Sequence, residues 1–237
     1  MIDLSRHRCV LFDVDGTIAE TEGNAHLPAF NRALSEAGLP WRWSRDDYGR
    51  LLKTAGGFER LLRFAHETGT DVDALRETLA QVHKAKNRHF AAILEEGGVP
   101  AREGFVELVG ELTSRGIAWG VVTTTSRSNW QALWNHTLSK HGLQAPAVIV
   151  CGEDVSAKKP DPEAYELALR RLEMPPQRCC AIEDSRNGLL AARLAGLEVA
   201  IVKSEFFATE KFDEAKVVVD ELTELMPGAA VKTARLA

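Results

Sequence analysis

Hydrophobic and polar positions follow two different patterns along the chain. After a short apolar run at 9–12, residues 19–98 contain segments whose apolar side chains recur every three or four positions, and they contain no convincing strand. From Gly104 onward, amphipathic segments of this kind alternate with short apolar runs. The first pattern predicts a small helical bundle. The second predicts a parallel β-sheet with helices on both of its faces.

The same patterns predict the bounds of individual elements. The predicted helices cover 26–37, a segment through Leu51 that Asp46 or Asp47 caps, 58–66, 71–94, 104–115, 128–140, 162–172 and 187–195. The predicted strands cover 9–12, 117–122, 147–151, 179–182, 199–202 and 217–219. We therefore expect an α/β core domain of residues 1–18 and 100–237, and an all-helical domain of residues 19–99 inserted after the first strand. We expect the tail after Met226 to be loosely ordered.

Composition and charge narrow the class of protein. The 237 residues are 45% hydrophobic and 27% charged, as in ordinary globular proteins. The net charge of -5 argues against a nucleic-acid partner, and no apolar run approaches the roughly 20 residues that span a membrane. We expect no signal peptide, and we expect a monomer. Four cysteines lack disulfide or zinc spacing, which favours buried free thiols in a cytoplasmic protein: Cys9, Cys151, Cys179 and Cys180.

Candidate chemistry begins where the first apolar run ends. Asp13 and Asp15 are one residue apart, and alternate residues of a strand point to the same face. Two like charges this close require a cation or a phosphoryl group to offset them. Gly16 allows the chain to turn away from such a group. Because Asp-Gly turns are common, the alternative is that these residues merely end a strand.

Polar residues also follow three other predicted strands. Because the carboxyl ends of parallel strands share one edge of the sheet, these residues should converge with Asp13 and Asp15. Lys159 and Thr123 would hold phosphate oxygens. Oxygen ligands suit Mg²⁺, and the predicted ligands are Asp13, the backbone carbonyl of Asp15, and Asp184. Glu183 would either bind the ion directly or support the residues that do.

These strand ends resemble the four ordered motifs of the haloacid dehalogenase-like (HAD) superfamily. The motifs are DVDGT at 13–17, VVTTTS ending at Ser126, the pair Lys159-Pro160, and EDS at 183–185. The resemblance covers nearly the whole chain. It implies a Rossmann-like, three-layer core with an inserted helical cap, of the type found in phosphoglycolate phosphatases, β-phosphoglucomutases and CbbY proteins.

The resemblance also implies roles for these residues. Asp13 would attack phosphorus and form an aspartyl-phosphate. Asp15 would protonate the leaving oxygen and then activate water. Lys159, Thr123 and Mg²⁺ would neutralise charge and hold the reacting groups in line. The second aspartate and the metal ligands favour phosphoryl transfer over carbon–chlorine chemistry.

Substrate recognition would come largely from the helical insert. The stretches AETE at 19–22, GGFER at 56–60, HKAK at 83–86 and TTTS at 123–126 are most similar to the CbbY group, whose members dephosphorylate xylulose 1,5-bisphosphate. A second substrate phosphate would explain the cluster of Arg60, His83 and Lys86. The expected substrate-binding residues are Glu22, His26, Gly56, Gly57, Arg60, His83, Lys86, Thr124, Thr125, Ser126 and Asn129.

Two features depart from the CbbY pattern. Phe58 stands where CbbY proteins carry lysine, and the region of Gly23 and Asn24 is one residue longer. Simpler interpretations also exist for the charged side chains. Arg60 and Lys86 on helices would ordinarily be solvated, and Lys158 would be a solvated neighbour of Lys159.

Several functions are compatible with these observations. A Mg²⁺-dependent sugar phosphatase of the CbbY type is the leading hypothesis. A β-phosphoglucomutase-like enzyme shares its first half-reaction but returns the phosphoryl group to the sugar, and a phosphoglycolate phosphatase differs in its substrate. A signalling receiver domain would need neither the helical insert nor Asp15. An inactive binding protein would not require the intact set of polar residues at the strand ends.

Overall fold

The computed structural model describes residues 6–226, and its centre is a single sheet of six parallel strands. The strands are β1 (Cys9–Phe12), β2 (Ala118–Val122), β3 (Ile149–Val150), β4 (Cys179–Glu183), β5 (Glu198–Val202) and β6 (Val217–Val219). Their spatial order is β3-β2-β1-β4-β5-β6, so the chain builds first to one side of β1 and then to the other. This reversal places a crevice at the carboxyl end of β1, where open α/β sheets bind ligands.

Helices cover both faces of the sheet, as the alternating pattern predicts. Val10 and Phe12 of β1 belong to one buried apolar cluster, whereas Cys9 and Leu11 belong to the other. Successive side chains of a strand point to opposite faces, so each face has its own core. The helices that flank the sheet are α5 (Phe105–Ser114), α6 (Arg127–Leu133), α7 (Glu163–Leu172) and α8 (Arg186–Leu194). The predicted free, buried cysteines are confirmed.

Four helices lie between β1 and α5, in what we call the helical segment (residues 19–99). They are α1 (Leu27–Glu36), α2 (Arg45–Leu51), α3 (Gly57–Glu67) and α4 (Val72–Glu95). They share an apolar cluster that includes Phe30, Trp43 and Leu61. The last turns of α4 instead bury Phe90 and Ile93 in the core cluster. Apolar packing is therefore continuous between segment and core, and the division at residues 18 and 99 stays a prediction.

Some predicted ends of helices and strands are wrong, because local hydrogen bonds set them differently. Ser44, rather than Asp46 or Asp47, caps α2, because its side chain accepts from the backbone N–H of Asp47 while Asp47 bonds back to Ser44. The predicted strand at 147–151 is reduced to Ile149–Val150, at the edge of the sheet beside β2 only. An edge strand has one neighbour, so its ladder is short.

π-Helical turns occur within one predicted helix and directly before another. The segment at 128–140 divides into α6, a π-helix at Trp134–Leu138 and a 3₁₀ turn at Ser139–His141. A π-helix at Glu22–His26 precedes α1. A π-helical turn accommodates one additional residue, which suits the extra residue expected in this region. Apolar periodicity predicts that a segment is helical but does not specify its hydrogen-bond register.

Short 3₁₀ turns at Pro176–Arg178 and Leu222–Leu225 complete the regular structure. Within residues 6–226, no helix combines the length and apolar character needed to cross a membrane. The tail after Met226, which we expect to be loosely ordered, falls outside the residues that the structure describes.

Candidate active site

Lys159 joins the ends of three strands. Its ammonium group donates hydrogen bonds to Asp13 Oδ1 at 2.7 Å, to Glu183 Oε1 at 2.6 Å and to the carbonyl oxygen of Val122 at 2.7 Å. Asp13 follows β1, Val122 ends β2 and Glu183 ends β4. The structure therefore brings these residues together at the carboxyl edge, as parallel topology requires.

Three carboxylates meet beside this lysine. Oxygen atoms of Asp13, Glu183 and Asp184 lie within 4.8 Å of one another, and all three residues are buried. Glu183 Oε2 and Asp184 Oδ2 have no hydrogen-bond partner in the described chain. The turn at Gly16, with φ of 85°, passes so close to Asp184 that a side chain there would collide with its carboxylate. Because Lys159 alone cannot neutralise three carboxylates, this oxygen cluster fits a divalent metal ion.

The pKa values of these groups reflect the same excess of negative charge. Burial raises the pKa of Asp13 to about 8, and Glu183 and Asp15 add to that increase while Lys159 opposes it. Burial, with repulsion from Asp13 and Glu183, also raises the pKa of Asp184. Burial acts to lower the pKa of Lys159, but its two carboxylate partners raise it above the usual value. A bound cation would favour the ionised carboxylates.

Asp15 has a different environment, although it is only two residues from Asp13. Its Oδ1 accepts a hydrogen bond from the Thr21 hydroxyl at 2.5 Å and lies 2.9 Å from His26 Nε2. The His26 ring stacks on Phe90 with centroids 4.2 Å apart. Burial acts to raise the pKa of Asp15, but His26 and Thr21 outweigh it and lower the pKa below its usual value. The two aspartates are therefore suited to different chemical tasks.

The structure corrects the prediction for the threonine that follows β2. The sequence assigns the phosphate-binding hydroxyl to Thr123, but Thr123 is 1% exposed and its hydroxyl accepts from the backbone N–H of Thr125. Thr124 and Thr125 line the cavity described below, and Thr123 does not. Which threonine faces the cavity depends on its position relative to the end of β2, because neighbouring side chains point in opposite directions.

Glu22, Tyr48 and Arg60 form a buried polar group in the helical segment. The Tyr48 hydroxyl donates to Glu22 Oε2 at 2.5 Å, and Arg60 donates to the Tyr48 oxygen at 3.1 Å. Arg60 also lies 3.5 Å from Glu22 Oε1, and its side chain is only 11% exposed. The interpretation of Arg60 as a solvated surface charge is wrong. No sequence signal identified Tyr48, whose partner Glu22 is 26 residues away.

Lys86 is a buried cation without an ion pair in residues 6–226. It is 3% exposed, and its ammonium group lies 5.1 Å from the Phe30 ring centroid and 5.4 Å from that of Phe90. Within residues 6–226, its ammonium group donates a hydrogen bond to Asn87 Oδ1 at 3.3 Å. Burial lowers the pKa of Lys86 to about 8. Lys86 is therefore not a solvated residue, and an anionic ligand would compensate its burial.

His83 is not the third cation that the sequence suggested. Burial lowers the pKa of His83 to about 4, and the neighbouring charge of Lys86 adds to the effect. The imidazole is consequently neutral near pH 7 and offers a hydrogen bond rather than a charge.

Replacing His83 by glutamine should make the protein less sensitive to acid. The pKa of His83 in the folded protein lies below its ordinary value of 6.5. The stability that the neutral imidazole contributes is therefore complete above pH 6.5 and is lost as the pH falls toward 4. Between pH 7 and 4.5, wild type should lose about 2 kcal/mol more unfolding free energy than the variant. Urea denaturation with EDTA measures this difference. Equal losses in the two proteins would contradict the burial of a neutral His83.

The charged groups surround one cavity of about 160 Å³. This size suits a small metabolite rather than a polymer. Phe58 also lines it, with its ring centroid 6.1 Å from that of His83. The predicted site residues that line the cavity are Asp13, Asp15, Glu22, His26, Gly56, Gly57, Arg60, His83, Lys86, Thr124, Thr125, Ser126, Asn129, Lys159 and Asp184. Thr123 and Glu183 lie behind this lining.

Asn129 and Ser126 shape the loop that follows β2. Ser126 caps α6 by accepting from the backbone N–H of Asn129 at 3.3 Å. Asn129 donates to the Thr125 hydroxyl at 3.1 Å, and its own Oδ1 is buried without a partner in the described chain. An unpartnered acceptor beside the cavity is available to a ligand hydroxyl.

Besides Tyr48, two further site residues were missed by sequence reasoning. Tyr165 of α7 donates its hydroxyl to Glu183 Oε1 at 2.5 Å and lies under Lys159, 5.1 Å from ring centroid to ammonium. Lys158, interpreted as solvated, lines the cavity and pairs with Glu59 at 2.5 Å. Neither contact has a local sequence signal, since the paired residues are 18 and 99 positions apart.

Comparisons with known proteins agree with this geometry. A family model described as haloacid dehalogenase-like hydrolase matches residues 7–196. Protein CbbY of Cereibacter sphaeroides is 41% identical over 217 residues, which cover 91% of this chain and 93% of that protein. Hexitol phosphatase A of Escherichia coli is 31% identical over 222 residues, or 91% of each chain. A crystal structure of a CbbY mutant from Rhodobacter sphaeroides in complex with xylulose 1,5-bisphosphate is 39% identical, covers 92% of this chain and 96% of that one, and has a TM-score of 0.85.

Proposed function

This chain belongs to the haloacid dehalogenase-like hydrolase family, and we propose that it is a Mg²⁺-dependent phosphatase of small phosphorylated sugars. The observation that carries the proposal is the contact of Lys159 with both Asp13 and Glu183, beside a carboxylate cluster that fits a cation. This arrangement can neutralise a phosphoryl group while a carboxylate oxygen attacks it.

In the proposed reaction, an Asp13 oxygen forms a bond to phosphorus as the bond from phosphorus to the sugar oxygen breaks. Asp15 gives a proton to the leaving oxygen and then takes one from the water that cleaves the aspartyl-phosphate. Because the pKa of Asp15 is low in the free protein, Asp15 holds that proton only once the negative charge of a bound phosphoryl group raises its pKa. Lys159 and Thr124 hold phosphoryl oxygens. Asp13, Asp184 and the Asp15 carbonyl would bind Mg²⁺, with Glu183 as a further ligand or support, and the ion would supply charge neutralisation.

We propose xylulose 1,5-bisphosphate as the substrate, because the CbbY mutant structure contains that compound. The second phosphate would compensate the buried charge of Lys86 and contact the cationic Arg60. His83, Glu22, His26 and the loop with Ser126 and Asn129 would contact the sugar. Phe58 stands where a lysine is expected and lines the cavity, so the panel below also tests whether the bisphosphate is preferred when this position is apolar.

The test is Mg²⁺-dependent phosphate release from a panel of compounds. The panel contains xylulose 1,5-bisphosphate, ribulose 1,5-bisphosphate, 2-phosphoglycolate and β-glucose 1-phosphate. We expect the highest kcat/KM with xylulose 1,5-bisphosphate and no release in EDTA. Release from 2-phosphoglycolate alone would refute this substrate, glucose 6-phosphate without free phosphate would identify a mutase, and no turnover of any compound would favour a binding protein.

We also propose that residues 19–99 act as a cap over a core of residues 1–18 and 100–237, and that the protein is a cytoplasmic monomer. The cavity between Lys159 and the α3 region supports the proposed cap, since residues of both parts of the chain line it. Size-exclusion chromatography with light scattering tests the monomer.

A further inference from the structure

An ion pair connects the helical segment to the loop that carries Lys159. Lys158 Nζ lies 2.5 Å from Glu59 Oε1, and both residues line the cavity. Glu59 is in the first turn of α3, whereas Lys158 is adjacent in sequence to the lysine that holds Asp13. A contact between these two residues therefore links the position of α3 to the loop of Lys159.

The backbone around Gly56 leaves room for this pair. Gly56 has φ of 94°, and a Cβ atom there would lie 2.5 Å from Lys158 Nζ and would collide with the Glu59 carboxylate. A residue with a side chain would be strained at this φ and would also displace the ion pair. The turn that begins α3 thus permits the lysine to reach across.

The pair is also electrostatically favourable where it stands. Burial acts to raise the pKa of Glu59, but the hydrogen bond from Lys158 lowers it overall, so the carboxylate is ionised near neutral pH. A negative charge in the first turn of a helix is itself stabilising. The side chains are 27% and 42% exposed, so the contact can break without leaving two charges deeply buried.

A second contact between helical segment and core lies elsewhere. Arg45 of α2 pairs with Glu205, and the Phe206 ring packs 5.8 Å from that of Tyr48. This contact lies beside Gly23, near the start of the helical segment. It can hold the segment at its connection to the core, whereas the pair of Lys158 and Glu59 acts at the cavity.

We infer that Lys158 and Glu59 form a latch that holds the helical segment closed over the cavity and positions the Lys159 loop during turnover. This inference rests on the proposed function, because it assumes a reaction at Asp13 and Lys159. Lys158 and Glu59 are positioning residues, which act through the neighbouring lysine and through closure. The latch opens for substrate entry and re-forms before phosphoryl transfer.

The experiment compares Lys158→Glu, Glu59→Lys and the charge-swapped double variant, all in the full-length protein. Each single variant should lower kcat/KM about fivefold, and the swapped pair should return within about twofold of wild type. Lys216→Met is the matched control, because Lys216 pairs with Glu198 at 3.4 Å on the opposite edge of the sheet. It should leave kcat/KM unchanged.

Hydrogen exchange without substrate gives a second measure. Backbone amides of residues 53–60 and 152–161 should exchange about fivefold faster in both single variants and recover in the swapped pair. The latch would be overturned if both single variants kept the exchange rates and kcat/KM of wild type. It would also be overturned if the swapped pair did not recover the wild-type values. If wild type released no phosphate from any compound, the proposed function would fail, while the exchange comparison would still decide whether the contact holds the segment closed.

Discussion

Replacement of Asp13 by asparagine is expected to reduce phosphate release by at least about a thousandfold. Asparagine keeps the size of the side chain but lacks the carboxylate that would attack phosphorus. It also removes the negative charge of one of the three carboxylates grouped within 4.8 Å. Steady-state release of phosphate from xylulose 1,5-bisphosphate with Mg²⁺ measures the loss.

The same variant should remain folded, which separates a chemical defect from a structural one. The pKa of Asp13 is raised to about 8, so in the folded protein its ionisation is unfavourable and costs stability as the pH rises from about 4 through 8. At pH 8.5 in EDTA, Asp13→Asn should therefore melt at or above the wild-type temperature. Asp73→Asn is the control, because the Asp73 side chain is 95% exposed and distant from the cavity lining. Turnover by Asp13→Asn within tenfold of wild type would exclude Asp13 as the nucleophile.

Replacement of Lys159 by methionine is expected to affect both stability and catalysis. Lys159 is 4% exposed and pairs with Asp13 at 2.7 Å and Glu183 at 2.6 Å. Its removal leaves two buried carboxylates without their cation, which should cost about 3 kcal/mol of unfolding free energy in EDTA. Loss of its charge at the phosphoryl group should lower kcat by about a hundredfold or more. Urea denaturation and steady-state kinetics measure the two effects.

Two comparisons sharpen this prediction. Lys158→Met removes the adjacent lysine, whose ion pair is partly exposed, and should cost less than about 1 kcal/mol. Mg²⁺ should restore more stability to Lys159→Met than it adds to wild type, because the variant has a larger uncompensated negative charge. If the two methionine variants were equally stable in EDTA, Lys159 would not be the main counter-charge of the cluster.

The sequence determined most of the architecture and the identity of the core residues. Short apolar runs and amphipathic segments record which side chains are buried, so they predicted the six strands and the inserted helices. Parallel strands place their carboxyl ends on one edge, so the sequence alone predicts that Asp13, Lys159 and Asp184 share one site. These inferences need only local periodicity and topology.

Only the tertiary structure decided which side chains face the cavity and what charge they carry. Thr124 replaces Thr123 at the lining, since the direction of a side chain depends on where the strand ends. Burial makes His83 neutral, and it encloses Lys86 among aromatic rings. Lys158 reaches Glu59 across 99 residues of sequence. Charge, pKa and ion pairing depend on distances and solvent exposure that arise only when remote segments pack together, and local patterns contain no record of them.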